Sequence, residues 1–275
     1  MDYKLPPLPK RDENSNKGTF GKILNISGSE YMTGAALLSS IAALRTGAGY
    51  VELASCKNVL NAVSYQAPEV VLAPIEKIEE IIKNVTVLLI GCGLSTSAEA
   101  VEIFTKSIKL ATENNLPTVI DADGLNILAT HKIKLPQNVI LTPHPKEASR
   151  LLKCSLDEVL ENMENSAKQI SDKYDCITVL KSHKTVVCSK ERIYHNNTGN
   201  SALAKAGSGD VLAGIIAGLL AQKMKIFEAS ILGVYLHGLA GDLAKENLSA
   251  YGVLASDTIR FIPLAIKKLL AGNNI

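Results

Sequence analysis

The chain alternates short apolar segments with helical ones, and this alternation limits its fold more than any other feature. Six segments have the length and β-branched content of strands: KILNIS (22–27), YVELAS (50–55), VTVLLIG (85–91), TVID (118–121), VILTP (139–143) and CITVLKS (176–182). VTVLLIG is the kind of apolar run that is buried on both faces of a parallel sheet. The sequence therefore predicts an α/β fold with a doubly wound, mostly parallel central sheet and helices on both faces.

The last part of the chain adds a hairpin and several helices to this pattern. KTVVCS and ERIYHN, at 184–189 and 191–196, predict a hairpin at an antiparallel edge. Helices are expected near 155–173, 208–222, 226–247 and 255–271. Because no linker, low-complexity tract or internal repeat interrupts the sequence, we expect residues 1–275 to form a single domain.

Composition and charge exclude several classes of partner. A net charge of +2, 4% aromatic residues and no Trp do not favour nucleic-acid binding. No apolar run approaches the roughly 18 residues of a membrane span, and the N-terminus has no apolar signal segment. The five cysteines are scattered and never form CxxC, which predicts reduced thiols in a cytoplasmic protein and no zinc site.

Four predicted strands are followed by loops that combine glycine or proline with polar groups. Ligands of open parallel sheets bind beyond the carboxyl ends of the strands. The loops are Gly28-Ser29 with Gly34-Ala35, GCGLST with Gly91 and Gly93, DADGLN with Asp121, Asp123 and Asn126, and TPHPKE with His144 and Glu147. Four such loops in register predict a shared cleft.

The acidic residues of these loops have two interpretations. Asp121 and Asp123 either face the cleft or only cap the helix that follows. Thr142 and Glu147 could serve the helix beginning near residue 146 in the same way. The residues alone leave both interpretations open.

The histidines and one lysine can be divided into expected ligand contacts and expected structural or surface residues. His144 lies between two prolines, where packing gains little, so we expect its imidazole to donate a hydrogen bond to a sugar or phosphate. Lys181 ends a strand and could meet a phosphate, although an isolated lysine is more often solvated. The other histidines of this group are expected to be structural or surface residues: His131, His195 and His237.

The segment NTGNSALAKAGSGDVLAGIIAGLLAQ (197–222) places Asp210 between a glycine turn and an apolar helix. Asp210 could be a helix cap. Alternatively, the backbone amides of the turn and the helix N-terminus form an anion hole. The sequence contains no GxxxxGK[ST], GxSxG or HExxH motif, and no GxGxxG at the first strand-to-helix turn, so common ATPase, dehydrogenase and hydrolase patterns do not fit.

This segment closely resembles the signature of the ADP- or ATP-dependent NAD(P)H-hydrate dehydratases, a family of the ribokinase-like superfamily. Other blocks resemble that family in the same order: GSEYMTGAALLSSIAALRTGAGYVELAS, IGCGLST, VIDADGLNIL, LTPHPKEASRLL and YLHGLAGDLA. The resemblance covers roughly residues 17–270. It indicates a stand-alone dehydratase without the epimerase domain that many members carry.

The resemblance implies an activity. Such enzymes return the S form of hydrated NADH or NADPH to NADH or NADPH. They phosphorylate the ring hydroxyl with ADP or ATP and then eliminate phosphate. A small-alcohol kinase such as hydroxyethylthiazole kinase is the alternative, and a non-catalytic nucleotide sensor is a further one.

The resemblance also implies residue roles. Asp210 would be the catalytic carboxylate and would contact the substrate together with Ala35, Gly93 and His144. The adenine nucleotide would contact these residues: Lys181, Ser182, His183, Lys184, Thr185 and Gly209. The anion hole would consist of the amides of Ala206, Gly207, Ser208 and Gly209. Mg²⁺ is expected as the bridging cation, with ligands the sequence does not identify, and a homo-oligomer such as a tetramer is expected.

Two positions depart from the family pattern. KSHKT at 181–185 stands where KGxxT is usual, so Ser182 replaces a glycine. Cys92 stands in GCGL where proline is usual. Both departures concern local loop geometry.

Overall fold

The computed structural model describes residues 5–272 and contains a nine-stranded sheet. The strands are β1 (Lys22–Ile26), β2 (Tyr50–Ser55), β3 (Val71–Pro74), β4 (Val87–Ile90), β5 (Thr118–Ile120), β6 (Val139–Leu141), β7 (Ile177–Leu180), β8 (Val186–Cys188) and β9 (Ile193–His195). Their order is β3-β2-β1-β4-β5-β6-β7-β8-β9. The pairs from β3 to β7 are parallel, whereas β7–β8 and β8–β9 are antiparallel.

Helices cover both faces of this sheet. They are α1 (Thr33–Arg45), α2 (Lys57–Ser64), α3 (Ile78–Ile81), α4 (Ala98–Glu113), α5 (Asp123–Thr130), α6 (Pro145–Leu152), α7 (Leu156–Glu161), α8 (Met163–Tyr174), α9 (Ser208–Ala221), α10 (Ile226–Gly252) and α11 (Ala255–Gly272). The first core contains side chains of α1, α2 and α9–α11, and the second contains those of α3–α8. The predicted fold class and the antiparallel edge hairpin are therefore confirmed.

The central strands contribute to both cores because successive side chains point to opposite faces. In β4, Val87 and Leu89 pack into one core, while Leu88 and Ile90 pack into the other. All four are completely buried. This double burial explains why the strand is an almost continuous apolar run.

Close packing of α9 against α1 places the start of α9 at the sheet edge. A Cβ at Gly214 would lie 2.3 Å from the carbonyl oxygen of Ser39, and one at Gly218 would lie 2.7 Å from that of Ala43. Only glycine permits this separation between the two backbones. The small residues of both helices are thus a packing requirement.

Three details differ from the sequence prediction. Strand β3 was not expected. The helix near 155–173 is two helices, because the backbone of Asn162 between α7 and α8 leaves the helical region, at φ −145° and ψ 77°. Helix α10 continues to Gly252 through a break at Ser249, where φ is 70°. Within residues 5–272, none of the helices combines the length and apolar character needed to cross a membrane.

Candidate active site

The start of α9 presents backbone amides that have no protein partner. Gly207, the N-cap residue, has φ 91°, a left-handed conformation that favours glycine, and it makes no side-chain cap. Among residues 5–272, nothing accepts a hydrogen bond from the N–H groups of Ala206, Gly207, Gly209 or Asp210. Unpaired amides at a helix N-terminus favour an anion.

Asp210 lies in the first turn of α9 beside this row of amides. Burial, followed by the charge of Asp121, raises the pKa of Asp210 to about 6. Its carboxylate, the carboxylate of Asp121 and Sγ of Cys92 offer atoms that all lie within 4.8 Å of one another. At neutral pH, Asp210 is therefore a largely ionised base that is readily protonated.

Asp121 follows β5 and is almost fully buried. Its Oδ1 accepts hydrogen bonds from Lys181 Nζ at 2.6 Å and from Thr142 Oγ1 at 2.7 Å. Burial alone would lower the pKa of Lys181, but Asp121 and Glu147 outweigh it and raise that pKa. The pair consequently keeps an ammonium group at the carboxyl ends of β5 and β7.

His144 and Glu147 form a reciprocal cap at the start of α6. His144 Nδ1 accepts from the amides of Lys146 and Glu147, at 3.1 and 3.3 Å, and Glu147 Oε2 accepts from the amide of His144 at 2.8 Å. Burial and then the charge of Lys181 lower the pKa of His144. The neutral imidazole therefore carries its hydrogen on Nε2, which lies 3.4 Å from Glu147 Oε1 and belongs to a partly exposed side chain that a ligand can reach.

A cavity of about 650 Å³, here named the α9 cavity, opens beside Gly209. It contains predicted nucleotide-binding and anion-hole residues: Lys181, Ser182, His183, Thr185, Ala206, Ser208 and Gly209. Lys184 and Gly207 do not line it. The structure thus brings most of the predicted nucleotide-binding residues and most of the predicted anion-hole residues to one cavity.

The 181–185 loop accommodates Ser182 without strain. Ser182 is not among the residues with positive φ, so a side chain is permitted there. Its Oγ accepts from the amide of Lys184 at 3.0 Å, and its amide donates to Thr185 Oγ1 at 3.2 Å. The serine therefore braces the loop in place of the usual glycine.

Part of the α9 cavity wall was missed by the sequence analysis. Asp242 holds two residues of that wall in place. Its carboxylate accepts hydrogen bonds from the amide of Gly199 at 3.0 Å and from the side chain of Asn200, through Nδ2, at 2.7 Å. His237, expected to be structural or at the surface, lines the cavity, and burial lowers its pKa to about 4. The signal was present, since both residues lie in the quoted segment YLHGLAGDLA.

A second cavity of about 610 Å³, here named the α2 cavity, lies at the ends of β1, β2 and β4. Residues Gly28–Met32, Ser55–Asn58 and Leu94 contribute to it. Gly93 and Ala35, both predicted to contact substrate, adjoin it, because a Cβ at Gly93 would lie 2.8 Å from Cβ of Ala35 and 3.0 Å from Cβ of Met32. Among the residues described, none lines both cavities.

The structure decides several of the open alternatives. Asp121 and Asp123 do not cap α5, whose N-cap Ala122 has no side-chain cap; Asp123 instead accepts from the amide of Ser95 at 2.8 Å. The solvated interpretation of Lys181 is wrong, because its side chain is paired with Asp121 and only 18% exposed. Glu147, by contrast, does cap α6 as expected.

The remaining histidines behave as surface groups. His131 Nδ1 lies 2.9 Å from Thr130 Oγ1, and His195 Nε2 lies 2.9 Å from Glu164 Oε2. All these contacts are exposed. Neither histidine belongs to the cluster around Asp210.

The sheet order and the amide-rich start of α9 beside a carboxylate define a ribokinase-like α/β protein. A ribokinase-like superfamily protein from Enterococcus faecalis V583 superimposes with a TM-score of 0.87 at 28% identity, covering 95% of this chain and 92% of that one. The family model described as NAD(P)H-hydrate dehydratase matches residues 23–264. The chain belongs to the NAD(P)H-hydrate dehydratase family, as its sequence motifs predict.

Individual relatives agree with this assignment. The ADP-dependent (S)-NAD(P)H-hydrate dehydratase of Neisseria meningitidis serogroup B is 40% identical over 255 residues, which cover 90% of this chain and 85% of that protein. The ADP/ATP-dependent NAD(P)H-hydrate dehydratase from Bacillus subtilis, co-crystallised with ATP/Mg²⁺, has a TM-score of 0.85 at 31% identity, covering 95% and 94% of the two chains. The chain spans about half the length of a bifunctional NAD(P)H-hydrate repair enzyme of Moorella thermoacetica, at 35% identity and 52% coverage of that protein.

The alternative function receives weaker support. Hydroxyethylthiazole kinase from Pyrococcus horikoshii matches with a TM-score of 0.66 at 14% identity. At 14% identity, this similarity shows a shared fold and does not indicate a shared activity.

Proposed function

We propose that this protein is an ADP- or ATP-dependent dehydratase that returns the S form of hydrated NADH or NADPH to the reduced cofactor. The observation that carries the proposal is that the neighbours of Asp210 connect it to both cavities. On one side, Gly209 lines the α9 cavity. On the other, Cys92 lies within 4.8 Å of the Asp210 carboxylate, and its carbonyl accepts from Gly28, which lines the α2 cavity.

The reaction needs a better leaving group than hydroxide. Phosphorylation of the ring hydroxyl supplies one: the hydroxyl oxygen forms a bond to phosphorus, and the bond to the donor nucleotide breaks. The ring nitrogen then pushes out phosphate, and loss of a proton restores the ring double bond. The protein's contribution to phosphoryl transfer is mainly positioning and electrostatic stabilisation.

Asp210 is the general base of this proposal. Its carboxylate accepts the hydroxyl proton as the oxygen attacks phosphorus, a contribution typically worth about 10² to 10⁴ in rate. The free amides of Ala206, Gly207 and Gly209 stabilise the charge on the transferring oxygens, whereas the amide of Ser208, also expected in the anion hole, donates to the carbonyl of Lys205 at 3.3 Å. The adenine nucleotide is held in the α9 cavity by lining residues of the 181–185 loop and of α9: Lys181, Ser182, His183, Thr185 and Gly209. Lys184, which does not line the cavity, would contact the nucleotide from the loop.

The substrate contacts are Ala35, Gly93, His144 and Asp210 in this proposal. Ala35 and Gly93 lie beside the α2 cavity, and His144 offers Nε2–H as a donor. The ion pair of Asp121 and Lys181 lies next to Asp210, at the carboxyl ends of β5 and β7. The adenine nucleotide therefore approaches Asp210 from the α9 cavity, and the hydrated cofactor approaches it from the α2 cavity.

Mg²⁺ fits the carboxylates of this site. Mg²⁺ binds oxygen ligands and commonly uses one or two carboxylates together with substrate phosphates. Asp121 Oδ2 is not used by Lys181, which binds Oδ1, and it would hold the ion with the phosphates. The Cys92 thiol is a poor ligand for Mg²⁺. When bound, the ion neutralises phosphate charge.

A turnover assay tests the proposal. Purified protein, ADP and hydrated NADH should restore absorbance of the reduced nicotinamide ring and release one phosphate for each NADH formed. A stable phosphoester from hydroxyethylthiazole without NADH recovery would favour the small-alcohol kinase instead. Nucleotide binding with no turnover of either substrate would favour a sensor.

Assembly and location complete the proposal. We place a single-domain homo-oligomer, for instance a tetramer, in the cytoplasm. Exposed apolar side chains near the end of α10, Leu248, Tyr251 and Leu254, support self-association. All five cysteines are unpaired, as expected for reduced thiols. Sedimentation velocity on the purified protein tests the assembly, since a monomer would contradict it.

A further inference from the structure

We propose that the α2 cavity binds the adenosine half of the hydrated dinucleotide, with Tyr31 covering the adenine and Lys57 meeting a phosphate. The inference rests on the proposed function, because it extends the same substrate site. It assigns a role to the part of the α2 cavity that lies beyond the reacting ring.

The position of the cavity supports this assignment. Gly28 lines it, and the amide of Gly28 donates to the carbonyl of Cys92 at 2.8 Å. Sγ of the same cysteine lies within 4.8 Å of the Asp210 carboxylate. Cys92 therefore lies between Gly28, at the wall of the cavity, and the carboxylate of Asp210. A dinucleotide whose ring lies at Asp210 can extend into it, away from the phosphoryl donor in the α9 cavity.

The linker between ring and adenosine would cross the start of α1. The N-cap of α1, Met32, makes no side-chain cap, so the first amides of the helix are free of side-chain partners. Gly34 has open space where a Cβ would stand, with no atom within 4 Å. A pyrophosphate suits free helix N-terminal amides next to open space. Ala35 and Gly93 form the adjoining wall.

The lining of the cavity matches a nucleoside. Its volume of about 610 Å³ lies within the usual range of small-molecule sites, roughly 300–1,000 Å³. Met32 and Leu94 offer apolar surface for a base, while Ser55 and Asn58 offer a hydroxyl and an amide for a ribose. Such a mixture of apolar walls and a few polar groups is typical of cofactor sites.

Two exposed side chains make the assignment specific. Tyr31 is 90% exposed at the rim, so both faces of its ring are open to a base. Lys57 is the first residue of α2, whose N-cap also lacks a side-chain cap, and a phosphate there would meet an ammonium group and a helix N-terminus. Glu30 and Glu99 also line the cavity from other elements. The phosphate expected on the α2 side is therefore the 2′-phosphate of hydrated NADPH, because the pyrophosphate lies at the start of α1.

Steady-state kinetics with Tyr31→Ala tests the proposal. Tyr65→Ala is the matched control, because Tyr65 is also 90% exposed but lies outside the cavity lining. Loss of base stacking should raise KM for hydrated NADH about fivefold or more, with kcat and KM for ADP unchanged. Lys57→Ala should raise KM for hydrated NADPH more than KM for hydrated NADH, and Lys109→Ala on α4 should change neither. An unchanged KM in Tyr31→Ala, or an equal rise in Tyr65→Ala, would refute the assignment.

A shortened substrate provides the second arm. Hydrated reduced nicotinamide mononucleotide lacks the adenosine half, so wild type should use it with a KM at least about fivefold higher, and Tyr31→Ala should add no further rise. Equal use of both substrates by wild type would overturn the proposal. If wild type fails to turn over hydrated NADH at all, the dehydratase function itself is wrong, and this result is distinct from the preceding ones.

Discussion

Lys181 and Asp121 form an ion pair directly beside Gly209. Nζ of Lys181 lies 2.6 Å from Oδ1 of Asp121 and 3.4 Å from the position a Cβ at Gly209 would occupy. Because Asp121 follows β5 and Lys181 follows β7, the pair connects two strand ends to the start of α9. The charges around Asp210 are consequently fixed by elements far apart in sequence.

Replacement of the base should stop turnover without unfolding the protein. We expect Asp210→Asn to lower kcat with ADP and hydrated NADH by about 10² to 10⁴. Because burial raises the pKa of Asp210 to about 6, its carboxylate, although largely ionised at neutral pH, makes the folded state less stable relative to the unfolded state. The melting temperature of the variant should therefore not fall. Near wild-type turnover, measured by absorbance of the reduced ring, would remove Asp210 from the mechanism.

The pH profile should report the same carboxyl group. Its active form is deprotonated and its pKa is about 6, so kcat/KM should rise as pH increases through about 6. The profile is measured between about pH 4.5 and 8, with hydrated NADH prepared separately so that its formation does not depend on assay pH. An acid limb near 4, the ordinary value for an aspartate, would contradict the effect of burial on this group.

Loss of the Asp121 carboxylate should destabilise the fold. Asp121→Asn removes the 2.6 Å ion pair of Lys181, which is only 18% exposed and keeps just the longer contact with Glu147 at 3.9 Å. Breaking a buried pair typically costs about 3–5 kcal/mol. Urea denaturation should show a reduced free energy of unfolding. Glu79→Gln, which breaks the exposed pair with Lys106, serves as the control and should leave the urea midpoint unchanged. A similar result for both variants would mean that burial adds nothing to the Asp121 pair.

A side chain at Gly209 should weaken nucleotide binding. In Gly209→Val the added carbons would point toward Lys181 and Asp121, at the edge of the α9 cavity. Loss of one hydrogen bond to a charged phosphate costs about 1.5–3 kcal/mol, or roughly 10- to 150-fold in Kd for ADP. Calorimetry measures this directly, with Gly252→Ala near the end of α10 as a control. Unchanged affinity would contradict the anion-hole hypothesis.

Restoring the family glycine should change little. Ser182 already lies outside the left-handed region and braces the loop through its hydroxyl. We expect Ser182→Gly to alter Kd for ADP by no more than about threefold, the effect of one exposed neutral hydrogen bond. A much larger change would show that the hydroxyl itself contacts the nucleotide.

The confirmed predictions about strands and turns depend on patterns within a few consecutive residues. The apolar runs, including VTVLLIG, identified the parallel strands because burial on both faces demands them. The glycine turn before Asp210 was recognised for a similar reason, since a left-handed N-cap requires glycine at 207. Strand β3 was missed because VLAP is only four residues long and its burial is partial.

Charges and caps were harder to predict than strands. His144 was expected to gain little from its position, yet it caps α6. Lys181 was expected either to meet a phosphate or to be solvated, and its pairing with an aspartate 60 residues earlier was not predicted. Nothing in the spacing of these residues encodes such contacts, because they depend on which strand ends become neighbours in the sheet.

The sequence by itself determined the α/β alternation, the glycine turn and the family, because periodicity and backbone constraints act over a few residues. Only the tertiary structure decided that Asp121, Lys181 and Asp210 lie together, with one cavity beside Gly209 and a second beside Gly28. The physical reason is that burial and Coulomb interactions depend on distance in space. The strand order sets that distance, and no local stretch of the chain specifies it.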